Sequence, residues 1–303
     1  MMPNFEVNVP ATTANLGPGF DCLGMALDIW NRFGFEETDQ PNIHITGYGK
    51  DHLPTDTSNL VYRSVKRYFQ EIGKPPPSLS ISCDNNIPLA RGLGSSSATI
   101  VGGLLGASKL ANEKEPDLEL LWRLAVETEG HPDNVTPALF GGCQIVVQDN
   151  HNLVRSEVAL PQDLHTVLYI PDSPMPTAEA RGILPPEISR ADAIYNTGRV
   201  ALLVNALATG NLHHLNVATQ DRLHQPQRQQ LLPAMRLLFQ AGLAGGALGV
   251  FLSGAGSTVL ALTKGKELTV AYEMRDMGDK ASLPGEIKIT KPSIQGAFVT
   301  TEG

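Results

Sequence analysis

Cysteine is scarce in this chain of 303 residues. The three cysteines, Cys22, Cys83 and Cys143, stand far apart, and no two of them are spaced like a redox or metal-binding pair. An odd number of widely separated cysteines argues against both a disulfide framework and a structural zinc site. The chain therefore fits a reducing compartment, and we expect it in the cytoplasm.

Long apolar runs and clusters of positive charge are also missing. The most apolar window, Leu237–Leu262, is interrupted by glycines and falls short of the roughly 18 apolar residues that a membrane span requires. The N-terminus, MMPNFEVNVP, has no basic stretch before an apolar one, so no signal peptide is predicted. The net charge is −8 and basic residues form no run, which argues against nucleic acid and anionic membranes as partners.

Strand and helix patterns are both present, but they do not alternate regularly. Period-2 patterns predict strands at Phe5–Pro10, Leu79–Cys83, Ile145–Gln148, Thr166–Ile170, Ala247–Leu252, Thr258–Leu262 and, as the last one, Glu286–Thr290. Helices are predicted at Asn59–Ile72 with Ser58 as cap, at Ser95–Leu110, from Pro116 onward, at Arg190–Ala208 and at Arg228–Ala241. This mixture favours an α+β fold, which we divide into residues 1–155 and 156–303.

One glycine-serine segment, Ile87–Ala98, follows a predicted strand and leads into a helix. Glycines allow close approach of the backbone, and the first helical turn leaves amides free, so the segment can bind an anion such as phosphate. A simple helix cap explains such a segment equally well when it stands alone. No Walker loop, dinucleotide fingerprint or protein-kinase signature occurs in the chain.

The same segment resembles, residue for residue, the PxxxGLGSSxA phosphate loop of the GHMP kinases, the superfamily of galactokinase, homoserine kinase, mevalonate kinase and phosphomevalonate kinase. The resemblance implies that the loop surrounds the phosphates of ATP and that Ser96 helps to hold Mg²⁺. The nucleotide-binding residues it implies are Pro88, Leu89, Ala90, Arg91, Gly92, Leu93, Gly94, Ser95, Ser96, Ser97 and Ala98. Asn59 and Tyr62 are weaker candidates for the adenine side.

A second loop, Pro10–Gly24, contains Ala-Asn-Leu-Gly-x-Gly-Phe-Asp and looks like the homoserine kinase form of the first GHMP motif. By itself it is an Asx-rich turn. The resemblance implies that Asn15 and Asp21 contact the acceptor molecule, with Asp21 accepting a hydrogen bond from its hydroxyl or ammonium group.

A third segment, Glu127–Gly142, is close to the EGHPDNVxPAxxGG pattern of homoserine kinases, although capping and solvated charge would also explain it. The resemblance implies that a glutamate binds Mg²⁺; Glu129 fits best, and Glu127 remains an alternative. It also implies that His131, Asp133 and Asn134 line the acceptor site. Asp133 occupies the position of a general base in other GHMP kinases, but we favour a positioning role for it.

Two arginines in the second half, Arg181 and Arg228, match positions that bind the substrate carboxylate in homoserine kinases. Either alone would more often be a surface residue. A guanidinium grips a carboxylate through two parallel hydrogen bonds, so the pair favours an amino acid as acceptor. The segment Leu252–Val259 resembles the third GHMP motif, a glycine turn near the phosphate loop.

These resemblances span residues 10 to 259 and imply a two-lobed GHMP kinase fold, with a ribosomal protein S5 domain 2-like N-terminal lobe and a ferredoxin-like C-terminal lobe. The implied reaction is ATP-dependent phosphorylation of L-homoserine to O-phospho-L-homoserine in threonine biosynthesis. A GHMP kinase for another alcohol, or a non-catalytic nucleotide-binding relative, are the alternatives. The sequence leaves a homodimer open.

Overall fold

The computed structural model describes residues 5–111, 115–150 and 152–301. Its strands are β1 Phe5–Ala14, β2 Leu23–Glu37, β3 Asn42–Gly47, β4 Leu79–Asn85, β5 Cys143–Asp149, β6 Asn152–Val158, β7 His165–Pro171, β8 Gly249–Leu252, β9 Val259–Thr263, β10 Gly285–Thr290 and β11 Phe298–Thr300. Its helices are α1 Leu60–Glu71, α2 Ser95–Leu110, α3 Leu118–Glu129, α4 Pro132–Phe140, α5 Thr177–Gly182, α6 Arg190–Thr209, α7 Leu215–Ala218, α8 Gln225–Arg228, α9 Met235–Ala244 and α10 Glu267–Lys280. A short 3-10 turn, Leu212–His214, precedes α7.

The strands form two sheets. In the first sheet β11, β1, β2, β4 and β3 lie in that order, while β5 pairs with β2 and β6 pairs with β5. Among the described strands of this sheet, only the β3–β4 pair is parallel. The second sheet has the order β10-β7-β9-β8 and is antiparallel. The predicted α+β class is confirmed.

Helix α2 is the central helix of the first half and is buried on most sides. Added Cβ atoms at Gly102 and Gly106 would lie 2.4 Å from the rings of Phe33 and Phe35 on β2. The small residues of this helix therefore allow it to pack directly on the sheet, which fixes the position of its N-terminus.

The division at residue 155 stays a prediction. The second sheet is built entirely from residues after it. However, β6 runs across the division, and β11 returns from the chain end to pair with β1 of the first sheet.

Most predicted elements are confirmed, with three corrections. The cap of α1 is Asn59, whose side chain accepts from the amide of Val61, and not Ser58. The helix expected from Pro116 begins at Leu118, because the Asp117 side chain caps it by accepting from the amide of Leu120.

The third correction concerns the helix expected over Arg228–Ala241. It is two helices: α8 ends at Arg228 and α9 begins at Met235. Pro233 stands between them, and the residue before a proline disfavours helical backbone.

Strand β2 and helix α10 were not predicted. Much of β2 is buried on both faces, so its apolar and polar residues do not alternate. No described helix has the length and apolar character needed to cross a membrane. Residues 1–4, on which the prediction about a signal peptide partly rests, lie outside the described residues.

Candidate active site

The phosphate-loop candidate lies at the N-terminus of α2. Gly94 caps this helix in the left-handed conformation, with φ of 70°, and Gly92 has φ of 72°. The backbone amides of the first turn, beginning at Ser95, have no partner within the helix. Together with the helix dipole they make this end of the helix suitable for an anion, and the phosphate site stays a prediction.

Residues from the second half of the chain hold this loop from behind. The Ser253 hydroxyl donates to the Gly92 carbonyl at 2.6 Å, and the Thr258 amide donates to the Arg91 carbonyl at 3.1 Å. The Met175 amide donates to the carbonyl of Ala90 at 2.9 Å. The loop shape is therefore set by contacts between elements far apart in sequence.

The side chain of Arg91 also connects the phosphate loop to the second half of the chain. Its Nε donates to the Pro171 carbonyl at 2.7 Å and its Nη1 to the Leu89 carbonyl at 2.8 Å, while Nη2 donates to the carbonyl of Asp172. All three guanidinium nitrogens are thus used on backbone oxygens. Arg91 belongs to the loop as predicted, and its guanidinium joins the loop to the end of β7.

Glu129 ends α3 and faces the first turn of α2. Its carboxylate oxygens accept hydrogen bonds from Ser96 Oγ at 2.9 Å and from Ser97 Oγ at 2.8 Å. Glu127 instead lies in an exposed ion-pair network with Arg67 and Arg123. Of the two glutamates that the sequence left open, only Glu129 is in contact with the phosphate loop.

Hard oxygen donors are what Mg²⁺ prefers, and Mg²⁺ is usually held by one or two carboxylates together with substrate phosphates. The Ser96 hydroxyl and the Glu129 carboxylate, beside the anion site, fit that type of coordination. Within the described residues, no group of three or more His, Cys, Asp or Glu side chains is arranged to bind a metal without such phosphates.

The loop between β1 and β2 carries three non-glycine residues with positive φ: Asn15, Leu16 and Asp21. Asn15 has φ of 68° and Asp21 has φ of 55°, values that a non-glycine residue adopts at a cost. Asn15 Oδ1 accepts from the Asp21 amide at 3.0 Å, and its Nδ2 donates to the Gly254 carbonyl at 2.9 Å. Asn15 therefore holds Asp21 in place and ties this loop to the turn after β8.

Asp21 and Arg181 form a two-pronged ion pair. Arg181 Nη2 and Nη1 lie 2.6 Å and 3.0 Å from the two carboxylate oxygens of Asp21, and both side chains are about one third exposed. The hydrogen bond to Asp21 is the main cause of the raised pKa of Arg181. A positive and a negative group thus stand side by side at the site.

Arg228 is almost completely buried, with 1% of its surface exposed. Its Nε donates to the Ala180 carbonyl at 3.1 Å, and its Nη1 donates to the Gly254 carbonyl at 2.9 Å. Burial, followed by the nearby charge of Arg181, lowers the pKa of Arg228 to about 10, so it remains a cation at neutral pH.

His131, Asp133 and Asn134 meet at the start of α4. His131 Nδ1 lies 2.9 Å from Asp133 Oδ1, and the Thr12 hydroxyl donates to Asn134 Oδ1 at 2.8 Å. Burial alone lowers the pKa of His131, but the hydrogen bond and charge of Asp133 outweigh it, and the pKa is raised. The buried carboxylate of Asp133 is therefore already engaged by an imidazole.

One cleft of about 610 Å³ brings these groups together. The predicted residues that line it are Asn15, Pro88, Ala90, Arg91, Gly92, Leu93, Gly94, Ser95, Ser96, Glu129, His131, Asp133, Asn134, Arg181 and Arg228. Asp21 and Ser97 do not line the cleft themselves. Asp21 pairs with Arg181, and Ser97 donates to Glu129, and both of these partners line it. Ala98 is fully buried behind the loop.

A neighbouring cleft of about 950 Å³ shares Ala90, Ser95 and Ser96 with the first and is lined by Asn59 and Leu89. Tyr62, the other weak candidate for the adenine side, does not line this cleft; its hydroxyl donates to the Pro77 carbonyl.

Five contributors were not singled out from the sequence: Thr177, Gly254 and Ala255, which line the cleft, and His224 and Phe20, which contact Arg228. Phe20, Gly254 and Ala255 stand within Pro10–Gly24 and Leu252–Val259, which the sequence marked, but nothing in a linear pattern shows which residue of a segment points inward.

Comparison with known proteins agrees with this geometry. Residues 59–142 match the model for the N-terminal domain of GHMP kinases, and residues 203–280 match the model for their C-terminal domain. A homoserine kinase of Microchaete diplosiphon is 44% identical over 306 residues, which cover 100% of this chain and 99% of that protein. The chain belongs to the GHMP kinase family.

Two further relatives of this GHMP kinase extend over its whole length. A homoserine kinase of Moorella thermoacetica is 41% identical and covers 97% of this chain and 99% of its own. The crystal structure of a homoserine kinase from Cytophaga hutchinsonii superposes with a TM-score of 0.88 at 29% identity, covering 99% of this chain and 98% of that one.

Proposed function

We propose that this GHMP kinase transfers the γ-phosphate of ATP to the side-chain hydroxyl of L-homoserine, a step of threonine biosynthesis. The observation that carries the proposal is the single cleft that joins the phosphate loop to Arg181 and Arg228. Two relatives of more than 40% identity that cover nearly the full length of the chain are homoserine kinases.

The nucleotide side uses the phosphate loop and Glu129. The amides around Gly94 and the N-terminus of α2 bind the β- and γ-phosphates and supply local positive potential on a chain whose net charge is −8. Ser96 and Glu129 would hold Mg²⁺. When bound, this cation neutralises the charge on the phosphate oxygens. The loop amides contribute by keeping the terminal phosphate in one orientation.

The acceptor side matches a zwitterion. Arg181 and Arg228 bind the carboxylate of homoserine, and Asp21 accepts from its ammonium group. Because the ligand offers one charge of each sign, it can join the Asp21–Arg181 pair without leaving either partner uncompensated. Uncharged alcohols offer no such match.

Transfer breaks the bond between the γ-phosphorus and the ADP oxygen and forms one to the homoserine hydroxyl, whose proton is released. The transition state is loose, so alignment matters more than early proton removal. The hydrogen bonds of Asp133 to His131 and Asn134 favour a role in holding these side chains against the acceptor. Asn15 keeps Asp21 oriented.

The experiment is ADP release with Mg²⁺ and ATP, measured with L-homoserine, mevalonate and galactose as acceptors and with the product identified by phosphorus NMR. We expect turnover with homoserine alone. Equal turnover with mevalonate or galactose would refute the assignment of the acceptor.

A variant tests the carboxylate contact. Arg181→Gln removes a guanidinium that forms charge-assisted bonds, so the KM for homoserine should rise about 10-fold to 100-fold while the KM for ATP is unchanged. Arg236→Gln is the matched control, because Arg236 is exposed and lines neither this cleft nor the neighbouring one. A KM that stays the same in Arg181→Gln would contradict the contact.

A further inference from the structure

His224 begins the segment that carries Arg228 and is completely buried. It is the cap residue of α8, a helix of only four residues. Burying a polar ring nitrogen without a hydrogen-bond partner costs free energy, and burying a charged ring costs more. A buried histidine is therefore expected to be neutral, with both ring nitrogens hydrogen-bonded. The two partners of this imidazole show what it does.

Nε2 of His224 lies 2.7 Å from the Gly17 carbonyl, and Nδ1 lies 3.1 Å from Nη1 of Arg228. A carbonyl oxygen only accepts and a guanidinium only donates. Nε2 therefore carries the proton, and Nδ1 presents its lone pair to Arg228. These two contacts specify one tautomer of a neutral imidazole.

The electrostatic surroundings agree with a neutral ring. Burial is the largest cause of a lowered pKa at His224; the charge of Arg228 lowers it further, while Asp221 and Asp21 act in the opposite direction. The nearest carboxylate oxygen, on Asp221, is 3.6 Å from Nε2, and the backbone amides of Leu223, His224 and Gln225 already donate to that carboxylate.

The same imidazole also supports the loop that carries Asp21. Phe20 stacks on His224 with ring centroids 5.3 Å apart, and the guanidinium carbons of Arg181 and Arg228 each lie 5.5 Å from the Phe20 ring. Gly17 and Phe20 both belong to the loop between β1 and β2. One side chain thus connects that loop with the buried arginine.

Arg228 needs such support because its guanidinium is held by few groups. Nε and Nη1 donate to Ala180, Gly254 and His224, and no described residue accepts from Nη2. A guanidinium binds a carboxylate well only when its plane is fixed. Without the Nδ1 acceptor, Nη1 would keep a single partner, and the plane could rotate.

We propose that His224 is a positioning residue for the acceptor: its neutral imidazole fixes the guanidinium of Arg228 to receive a carboxylate. The proposal rests on the proposed function, since it assumes that Arg228 binds the carboxylate of homoserine. His224 itself lines neither the cleft nor its neighbour.

The test combines variants with a change in the ligand. His224→Leu removes both hydrogen bonds, His224→Asn keeps an acceptor near the position of Nδ1, and His224→Gln can reach toward the Gly17 carbonyl. Homoserinol, in which a hydroxymethyl group replaces the carboxylate, is measured as a competitive inhibitor against homoserine. Stability is followed by thermal unfolding.

We expect His224→Leu to raise the KM for homoserine about tenfold or more, the usual range for a hydrogen bond to a charged group. The KM for ATP and the inhibition constant of homoserinol should stay within about twofold, because neither ligand uses a carboxylate clamp. His224→Asn should recover more of the homoserine affinity than His224→Gln.

Tyr169→Phe is the control for stability alone, since it removes the hydrogen bond from a buried tyrosine to the Leu283 carbonyl away from the cleft. It should lower the melting temperature without changing the KM for homoserine. If His224→Leu weakens homoserine and homoserinol equally, or weakens neither, the proposal is wrong. If His224→Leu does not fold, an Asn variant no better than the Gln variant overturns it. A wild-type enzyme inactive on homoserine instead refutes the proposed function, before any variant is made.

Discussion

Replacing Gly92 by alanine is the sharpest test of how the two halves of the chain shape the phosphate loop. A Cβ at this position would lie 2.0 Å from the Ser253 carbonyl oxygen, 2.9 Å from the Gly256 amide nitrogen and 3.0 Å from the Gly256 carbonyl oxygen. All three are backbone atoms and cannot move aside as a side chain would. The loop must then separate from the turn that follows β8.

A matched control separates the two parts of the lost stability: the strain of a left-handed alanine and the clash with the turn after β8. Gly73 has φ of 67°, close to the 72° of Gly92, but a Cβ there would meet nothing within 4 Å. Gly73→Ala should therefore lose only about 1 kcal/mol, the cost of a left-handed alanine. Gly92→Ala also overpacks the interface and loses hydrogen bonds from Ser253 and Thr258, so about 3 to 5 kcal/mol is expected.

The assay is urea unfolding of both variants, with the KM for ATP measured in parallel. Gly92→Ala should raise the KM for ATP about tenfold, as expected when a contact to a charged phosphate is lost, and Gly73→Ala should leave it unchanged. Equal losses of stability in the two variants, with equal KM for ATP, would show that the turn after β8 does not hold the loop.

Two further predictions concern charge at the site. Glu129→Gln should lower kcat by about 100-fold and raise the Mg²⁺ concentration needed for half-maximal activity, whereas Glu127→Gln should not; a Mg²⁺ titration at fixed ATP decides between them. The pKa of His131 is raised in the folded protein. The stability that protonated His131 contributes is therefore fully present below its unfolded pKa of about 6.5, and it is lost as the pH rises through the folded pKa. The excess stability of wild type over His131→Gln should thus fall from pH 6 to pH 8.5; an excess that is constant or rises would contradict the His131–Asp133 pairing.

Sequence periodicity predicted the helices and strands that are specified by their own residues. Helix α2 begins and ends at the residues predicted from its sequence, Ser95 and Leu110. Helix α9 shows the limit: its apolar spacing predicts one helix from Arg228, but the helix begins at Met235, after Pro233. Strand β2 escaped prediction because neighbours on both faces, and not alternation, make it a strand.

The sequence by itself showed that a glycine-serine loop precedes a helix. Its resemblance to the GHMP motifs implied that serines and a glutamate are candidate ligands and that two arginines favour an amino acid as acceptor. These expectations follow from residue type and order, which the chain carries along its length. Only the tertiary structure decided that Glu129 and not Glu127 faces the loop, that Arg91 is used on carbonyl oxygens, and that His224 supports Arg228. Each of these depends on which side chain points inward and what lies opposite it, and that is set by packing between residues as far as 207 positions apart.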